Sequence, residues 1–168
     1  MKKAVFIIAI CFLNTAIAKG VYQTPLAFIK QAFGGNTPSN ATIWLTKERK
    51  QTISSILQHP PGYIRVKYWQ HETRTAWILN EIGKEKPITV GVTINAGEIE
   101  QLKVLTFRES RGWEVKHDFF TRQFNNSSID NNLHLNQSVD GISGATLSVR
   151  ALKKVARIAL YLEQQIQP

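Results

Sequence analysis

Two hydrophobic periods alternate along the chain, and each predicts a different kind of element. Between residues 24 and 60, apolar side chains recur at three- and four-residue steps, which predicts two short helices. The first begins at Thr24-Pro25, a favourable N-cap and first helical position, and ends at Gly34-Gly35. The second follows Thr46 and ends before Pro60. Their predicted inward-facing residues are Leu26, Ile29, Ala32, Phe33, Ile53, Ile56 and Leu57.

From residue 63 onward the hydrophobic period changes to two, which is typical of half-buried strands. Strands are predicted at residues 63–69, 75–82, 87–95 and 98–108. Ala96-Gly97 supplies the turn between the last two. The pattern therefore predicts an antiparallel meander built from hairpins.

The final third of the sequence predicts helices around a polar loop. Helical spacing returns at Val115, Phe119, Phe120 and Phe124, a polar loop occupies residues 125–138, and an amphipathic helix spans residues 145–165. Neither an internal repeat nor a linker is evident. The prediction is a single α+β domain, residues 19–168, in which an antiparallel sheet packs with helices and an N-terminal helical extension precedes it.

Residues 1–18 have the pattern of a signal peptide. Lys2 and Lys3 precede an apolar stretch at residues 4–13, and Ala16-Ile17-Ala18 forms an A-x-A cleavage site. The prediction is export to the periplasm, with an uncleaved membrane anchor as the alternative. Cleavage would also remove Cys11, the only cysteine, leaving no thiol for a disulfide or an iron–sulfur cluster.

The chain is basic, with a formal net charge of +9 that falls to about +7 without Lys2 and Lys3. Such a charge favours an anionic partner, and export argues against nucleic acid. The four histidines lack metal-ligand spacing, and no Ser-His-Asp pattern is legible. Neither a metal site nor a catalytic residue is predicted.

Residues 140–148 place small and hydroxyl-bearing residues where the last predicted helix begins. Unpaired backbone N–H groups and the positive end of the helix dipole face an anion at such a position. Gly144 and Ala145 would let a bulky group approach the backbone. On chemistry alone, this segment predicts an anion or phosphate site.

The string Asp140-x-x-Ser143-Gly144-Ala145-Thr146 resembles the flavinylation motif of the FMN-binding domain family. That family includes the FMN-carrying periplasmic subunits of the Rnf and sodium-translocating NADH:quinone reductase complexes. The resemblance implies FMN joined to Thr146 by a phosphoester, installed by a flavin transferase that needs Asp140. Ser148 is the fallback acceptor.

The resemblance extends upstream, to a hairpin followed by a glutamate-containing segment. Residues 87–108 are the hairpin, and Glu109-Ser110-Arg111-Gly112 stands where the family more usually has Glu-Thr-Pro-Gly. Ser110 and Arg111 depart from that pattern. By resemblance Glu109 is expected near the flavin ring, and Trp113, with Phe107, is a candidate aromatic wall for it.

The function expected from these features is that of a periplasmic electron carrier with covalent FMN. Its partners would be the flavin transferase and a membrane or periplasmic redox protein. One alternative is a flavin-free module that binds an anion or a partner at the same helix N-terminus. A third is a reductase that acts directly on a small substrate.

Overall fold

A five-stranded antiparallel sheet forms the centre of the structure, a computed structural model that describes residues 20–167. The signal peptide predicted for residues 1–18 lies outside the described residues. The strands follow one another in the order of the chain, so the sheet is a meander. They are β1 (Asn40–Trp44), β2 (Arg65–His71), β3 (Arg74–Ile82), β4 (Pro87–Asn95) and β5 (Glu98–Thr106).

Four α-helices accompany the sheet within residues 20–167, and the predicted α+β class is confirmed. They are α1 (Pro25–Ala32), α2 (Lys47–Leu57), α3 (Asp118–Thr121) and α4 (Thr146–Gln164). Short 3₁₀ turns at Trp113–Lys116 and Arg122–Phe124 flank α3.

The sequence patterns located strands β2 to β5 but missed β1. Only Ile43 of β1 is buried, so this strand lacks the alternation that marks the others. It pairs with β2, from Asn40 opposite Trp69 to Trp44 opposite Arg65. The predicted helical extension therefore needs a correction, because the segment before β2 also supplies the edge strand of the sheet.

Helix α1 covers one face of the sheet through close contact with a glycine. Thr24 Oγ1 accepts a hydrogen bond from the Ala27 N–H at 3.2 Å, as expected of an N-cap. Phe28 is fully buried, and its ring lies where a Cβ on Gly91 of β4 would be, 2.6–2.8 Å away. Leu26, predicted to face inward, is instead 57% exposed because Phe28 and Ile29 form the contact face of this short helix.

The opposite face of the sheet packs against α2 and α4 and contains the main core. Helix α2 contributes Ile53, Ile56 and Leu57, as predicted. Helix α4 lies within one residue of its predicted ends. Near α3, Phe120 and Phe124 are buried, whereas Phe119 is 65% exposed, since the helix there lasts a single turn.

A buried polar cluster ties the end of α4 to β3. Trp77 Nε1 donates a hydrogen bond to Thr75 Oγ1 at 2.9 Å, and the Thr75 hydroxyl donates to Glu163 Oε2. All three residues are at most 1% exposed. Burial raises the pKa of the Glu163 carboxyl above its ordinary value, although Thr75, Gln167 and Trp77 donate hydrogen bonds that favour its charge.

A raised pKa in the folded state predicts a pH dependence of stability. The stabilisation that protonated Glu163 provides is complete below the ordinary glutamate pKa and is lost as pH rises through the raised value. We expect Glu163→Gln to flatten this part of the profile and to match or exceed the wild-type free energy of unfolding at pH 7. Urea unfolding at a series of pH values from 4 upward measures this effect. If the variant and the wild type show the same slope of unfolding free energy against pH, the raised pKa of Glu163 is contradicted.

Within residues 20–167, no helix has both the length and the apolar character needed to cross a membrane.

Candidate functional site

Helix α4 begins without a side-chain cap. Ala145 is its N-cap residue, with φ −115° and ψ 18°, and no side chain of the described residues accepts a hydrogen bond from the first turn. The first helical residue is Thr146, which is exposed. A plain structural use of this segment, in which Ser143 or Thr146 caps the helix, is therefore not observed. The N–H groups of the first turn therefore have no side-chain acceptor within residues 20–167.

The turn that precedes α4 leaves space at its surface. Gly144 has φ +80°, and a Cβ built on it would meet nothing within 4 Å. Ser143 is exposed and Ala145 is buried beneath the turn. Asp140 is exposed, and its N–H donates to Gln123 Oε1 at 2.7 Å. The motif thus presents Asp140, Ser143, Gly144 and Thr146 to the outside.

The segment after β5 packs directly against the start of α4. Gly112 has φ +83°, and a Cβ on it would lie 2.6 Å from Ser148 Oγ and 3.5 Å from Ala145 Cα. The fold therefore brings together the two segments on which the family resemblance rested. Ser148 is only 4% exposed, so the predicted fallback acceptor lies beneath Gly112 while the Thr146 side chain is accessible.

Glu109 holds the turn between β3 and β4. Its Oε1 accepts hydrogen bonds from the backbone N–H groups of Lys84, Glu85 and Lys86, at 2.6, 2.6 and 2.8 Å. Burial opposes ionisation of this carboxyl, but the three N–H bonds and the charge of Lys84 outweigh it and lower the pKa of Glu109. One carboxylate oxygen is thus fully engaged in shaping the hairpin, and a contact between Glu109 and a flavin ring stays a prediction.

Trp113 stands in a groove on the side of Glu109 that faces the N-terminal segment. The groove has a volume of about 540 Å³, and Tyr22, Phe107, Glu109 and Trp113 are among its lining residues. Trp113 is 45% exposed, whereas Phe107 belongs to the core and reaches the groove from below. Aromatic walls with a few polar groups are what a flat, mostly apolar ring requires.

A lysine organises the aromatic side chains of this groove. Lys116 Nζ lies 4.1 Å from the ring centroid of Tyr22 and 5.1 Å from that of Trp113. The sequence patterns did not indicate Lys116. The three-residue spacing of Trp113 and Lys116 would have indicated it once a helical turn was assumed.

The described part of the chain contains no group of three or more His, Cys, Asp or Glu side chains that could hold a metal ion.

A comparison with known families assigns the region that contains Glu109, Gly112 and the start of α4. Residues 83–161 match the family model of the FMN-binding domain. This part of the chain belongs to the FMN-binding domain family. The match spans β4, β5, the segment with Glu109 and Gly112, and α4 through Tyr161. No curated protein matches the chain.

The family confirms the resemblance found in the sequence, and the protein is an FMN-binding protein. The geometry at the start of α4 fits the cofactor. An uncapped helix N-terminus can receive a phosphate, and an open glycine lets it reach the backbone. The helices and strands before Gly83 lie outside the matched region.

Proposed function

We propose that the protein is an exported electron carrier whose FMN is esterified to Thr146. The observation that supports the attachment site is an exposed threonine at the first position of an uncapped helix, within an FMN-binding domain. The alternative of a flavin-free anion-binding module loses support, because the family match specifies the ligand.

The proposed linkage suits the electrostatics of this helix. Formation of the ester joins Thr146 Oγ1 to the phosphorus of FMN. Overall, the hydroxyl hydrogen of Thr146 and one hydroxyl of the phosphate leave as one molecule of water. The resulting phosphodiester keeps a negative charge. Open N–H groups and the positive end of the α4 dipole stabilise that charge. Gly144 leaves room for the phosphate oxygens.

The groove beside Trp113 is the proposed place for the isoalloxazine ring. Trp113 and Tyr22 would provide the aromatic surface, and Lys116 would place a positive charge close to the ring. Such a charge favours a reduced, anionic flavin. Bound FMN supplies one- and two-electron transfer, while these residues hold it at the surface within reach of a protein partner.

A carrier role is favoured over stand-alone catalysis. Electrons would come from a membrane redox protein and pass to a periplasmic or membrane acceptor. Export is supported by the Lys2-Lys3 start, the apolar stretch and the A-x-A site of residues 1–18. A covalent link makes sense in that compartment, since lost flavin would not be replaced there.

The mass of the intact protein tests this proposal. The chain is exported from a host that has a flavin transferase, together with a known acceptor of that transferase as the control. We expect the mass of the mature chain from Lys19 plus one FMN less one water, with flavin fluorescence that survives denaturation. An unmodified mass for this chain, together with a modified control, would overturn covalent attachment. A mass that includes residues 1–18 would mean that the signal peptide is kept as a membrane anchor.

A further inference from the structure

The face of the sheet that carries α1 is only partly covered by that helix. Helix α1 packs over the inner strands, where Phe28 lies against Gly91 of β4. The outer strands β1 and β2 leave part of the same face uncovered. We call this area the open face, and every residue that defines it is exposed: Asn40, Thr42, Trp44, Arg65 and Lys67.

The strand register places these five side chains on one side of the sheet. In β1 every second residue belongs to the open face, and directly opposed residues of β1 and β2 share a side. Ile43 and Val66, which alternate with them and oppose each other, point into the main core. Trp69, opposite Asn40, packs against the cluster beneath α1. The open face therefore continues the surface that α1 covers.

The open face is basic. Strands β1 and β2 contain no Asp or Glu, and the nearest acidic residues along the chain, Glu48 and Glu72, lie outside both strands. Arg65 and Lys67 form no ion pair with any residue of 20–167. The guanidinium carbon of Arg65 lies 5.4 Å from the ring centroid of Trp44, which is 57% exposed. An exposed tryptophan is thus combined with two cations that have no ion-pair partner in the described chain.

Neither an added strand nor a small ligand suits this surface. The Leu45 N–H donates to the Ile64 carbonyl at 3.0 Å, so the Trp44 carbonyl points away from β2, toward the outer edge of β1. Arg49 Nη1 donates to that carbonyl at 2.9 Å and occupies part of the edge. A cavity that borders the open face has a volume of about 210 Å³, below the range of small-molecule sites. A broad anionic surface is the better match.

We infer that the open face binds the surface of a phospholipid bilayer that contains anionic lipids. Trp44 would lie at the level of the headgroups, where tryptophan is favoured. Arg65 and Lys67 would contact lipid phosphates, and the formal net charge of +9 on the whole chain adds attraction at longer range. No residue of the open face belongs to the proposed flavin site, so the inference goes beyond that site and does not depend on it.

Co-sedimentation with vesicles tests the inference. The full mature chain, bearing its flavin, is mixed with vesicles of phosphatidylcholine and phosphatidylglycerol at about 3:1, or of phosphatidylcholine alone. We expect saturable binding to the anionic vesicles that weakens as salt is added, and much weaker binding to the neutral ones. No binding to the anionic vesicles, or equal binding to both, would overturn the inference. Flavin content is measured separately by intact mass, so this failure is distinguishable from a failure of flavin attachment.

Two double variants that remove the same charge locate the surface that binds. Arg65→Gln/Lys67→Gln should bind the anionic vesicles about twentyfold more weakly, since each basic residue close to such a surface contributes about fivefold. Arg150→Gln/Lys153→Gln removes one arginine and one lysine from α4, which packs on the opposite face of the sheet, and should bind nearly as the wild type does. Equal losses in the two variants would show attraction to the basic chain as a whole and would overturn the assignment to the open face.

The exposed tryptophan distinguishes a bilayer from an acidic protein. Trp44→Ser should bind the anionic vesicles about fivefold more weakly, because apolar ring area is no longer removed from water. Phe119→Ser is the control, since Phe119 is 65% exposed and lies outside the open face, and it should bind as the wild type does. Poly-L-glutamate is the competing probe. If it binds in a way that depends on Arg65 and Lys67 while the vesicles do not bind, the partner is an acidic polypeptide and the bilayer inference is wrong.

Discussion

A Thr146→Ala variant, exported in a host with the flavin transferase, is expected to carry no covalent FMN while its fold is unchanged. The hydroxyl is the proposed ester oxygen, and no other helical residue of the first turn of α4 has an accessible one. The side chain is exposed and caps no N–H group, so its removal should change the free energy of unfolding by about 0.5 kcal/mol or less. Intact mass and urea unfolding measure the two effects.

Two serines provide controls for the acceptor assignment. Ser148→Ala removes a hydroxyl that is buried beside Gly112, and Ser143→Ala removes an exposed one in the turn. Both variants should keep the flavin if Thr146 is the acceptor. Flavin that survives denaturation on Thr146→Ala but not on Ser143→Ala would move the ester to Ser143. Loss of flavin in all three would point to recognition of the whole turn by the transferase.

The sequence predicted those elements whose burial repeats regularly. In β4, seven consecutive residues from Ile88 to Ile94 are buried, and helix α4 keeps an apolar face for nineteen residues. Patterns of this length remain recognisable even when single residues depart from them. Strand β1 has one buried residue and α3 has one turn, so neither contains a full period. Helix α1 is also short, and the predicted inward direction of Leu26 was wrong.

The sequence predicted only those parts of the candidate site whose residues are neighbours in the chain. The turn before α4 is contiguous, so its small residues and exposed threonine could be located. The role of Glu109 depends on N–H groups more than twenty residues away, at Lys84, Glu85 and Lys86. The contact between Gly112 and Ser148 likewise joins distant segments. Spacing carries no information about such pairs.

Strand β3 and helix α4 are also joined by the ion pair between Glu81 and Lys154, and its disruption should have the largest effect on stability. Lys154→Met leaves the Glu81 carboxylate in a site that is 4% exposed, with only His59 as a partner. We expect a loss of about 3 kcal/mol in the free energy of unfolding, since a buried charge without its partner is costly. Urea unfolding at pH 7 measures it.

A second substitution distinguishes the cost of an unpaired charge from a loss of packing. Replacing both partners, as Glu81→Leu/Lys154→Met, removes the uncompensated charge and should recover most of the lost stability. Lys153→Met is the matched control, because its lysine forms no ion pair with any residue of 20–167 and the change should stay within about 0.5 kcal/mol. If the double variant is less stable than Lys154→Met alone, the two side chains stabilise the domain by packing, and the ion pair is not what holds β3 to α4.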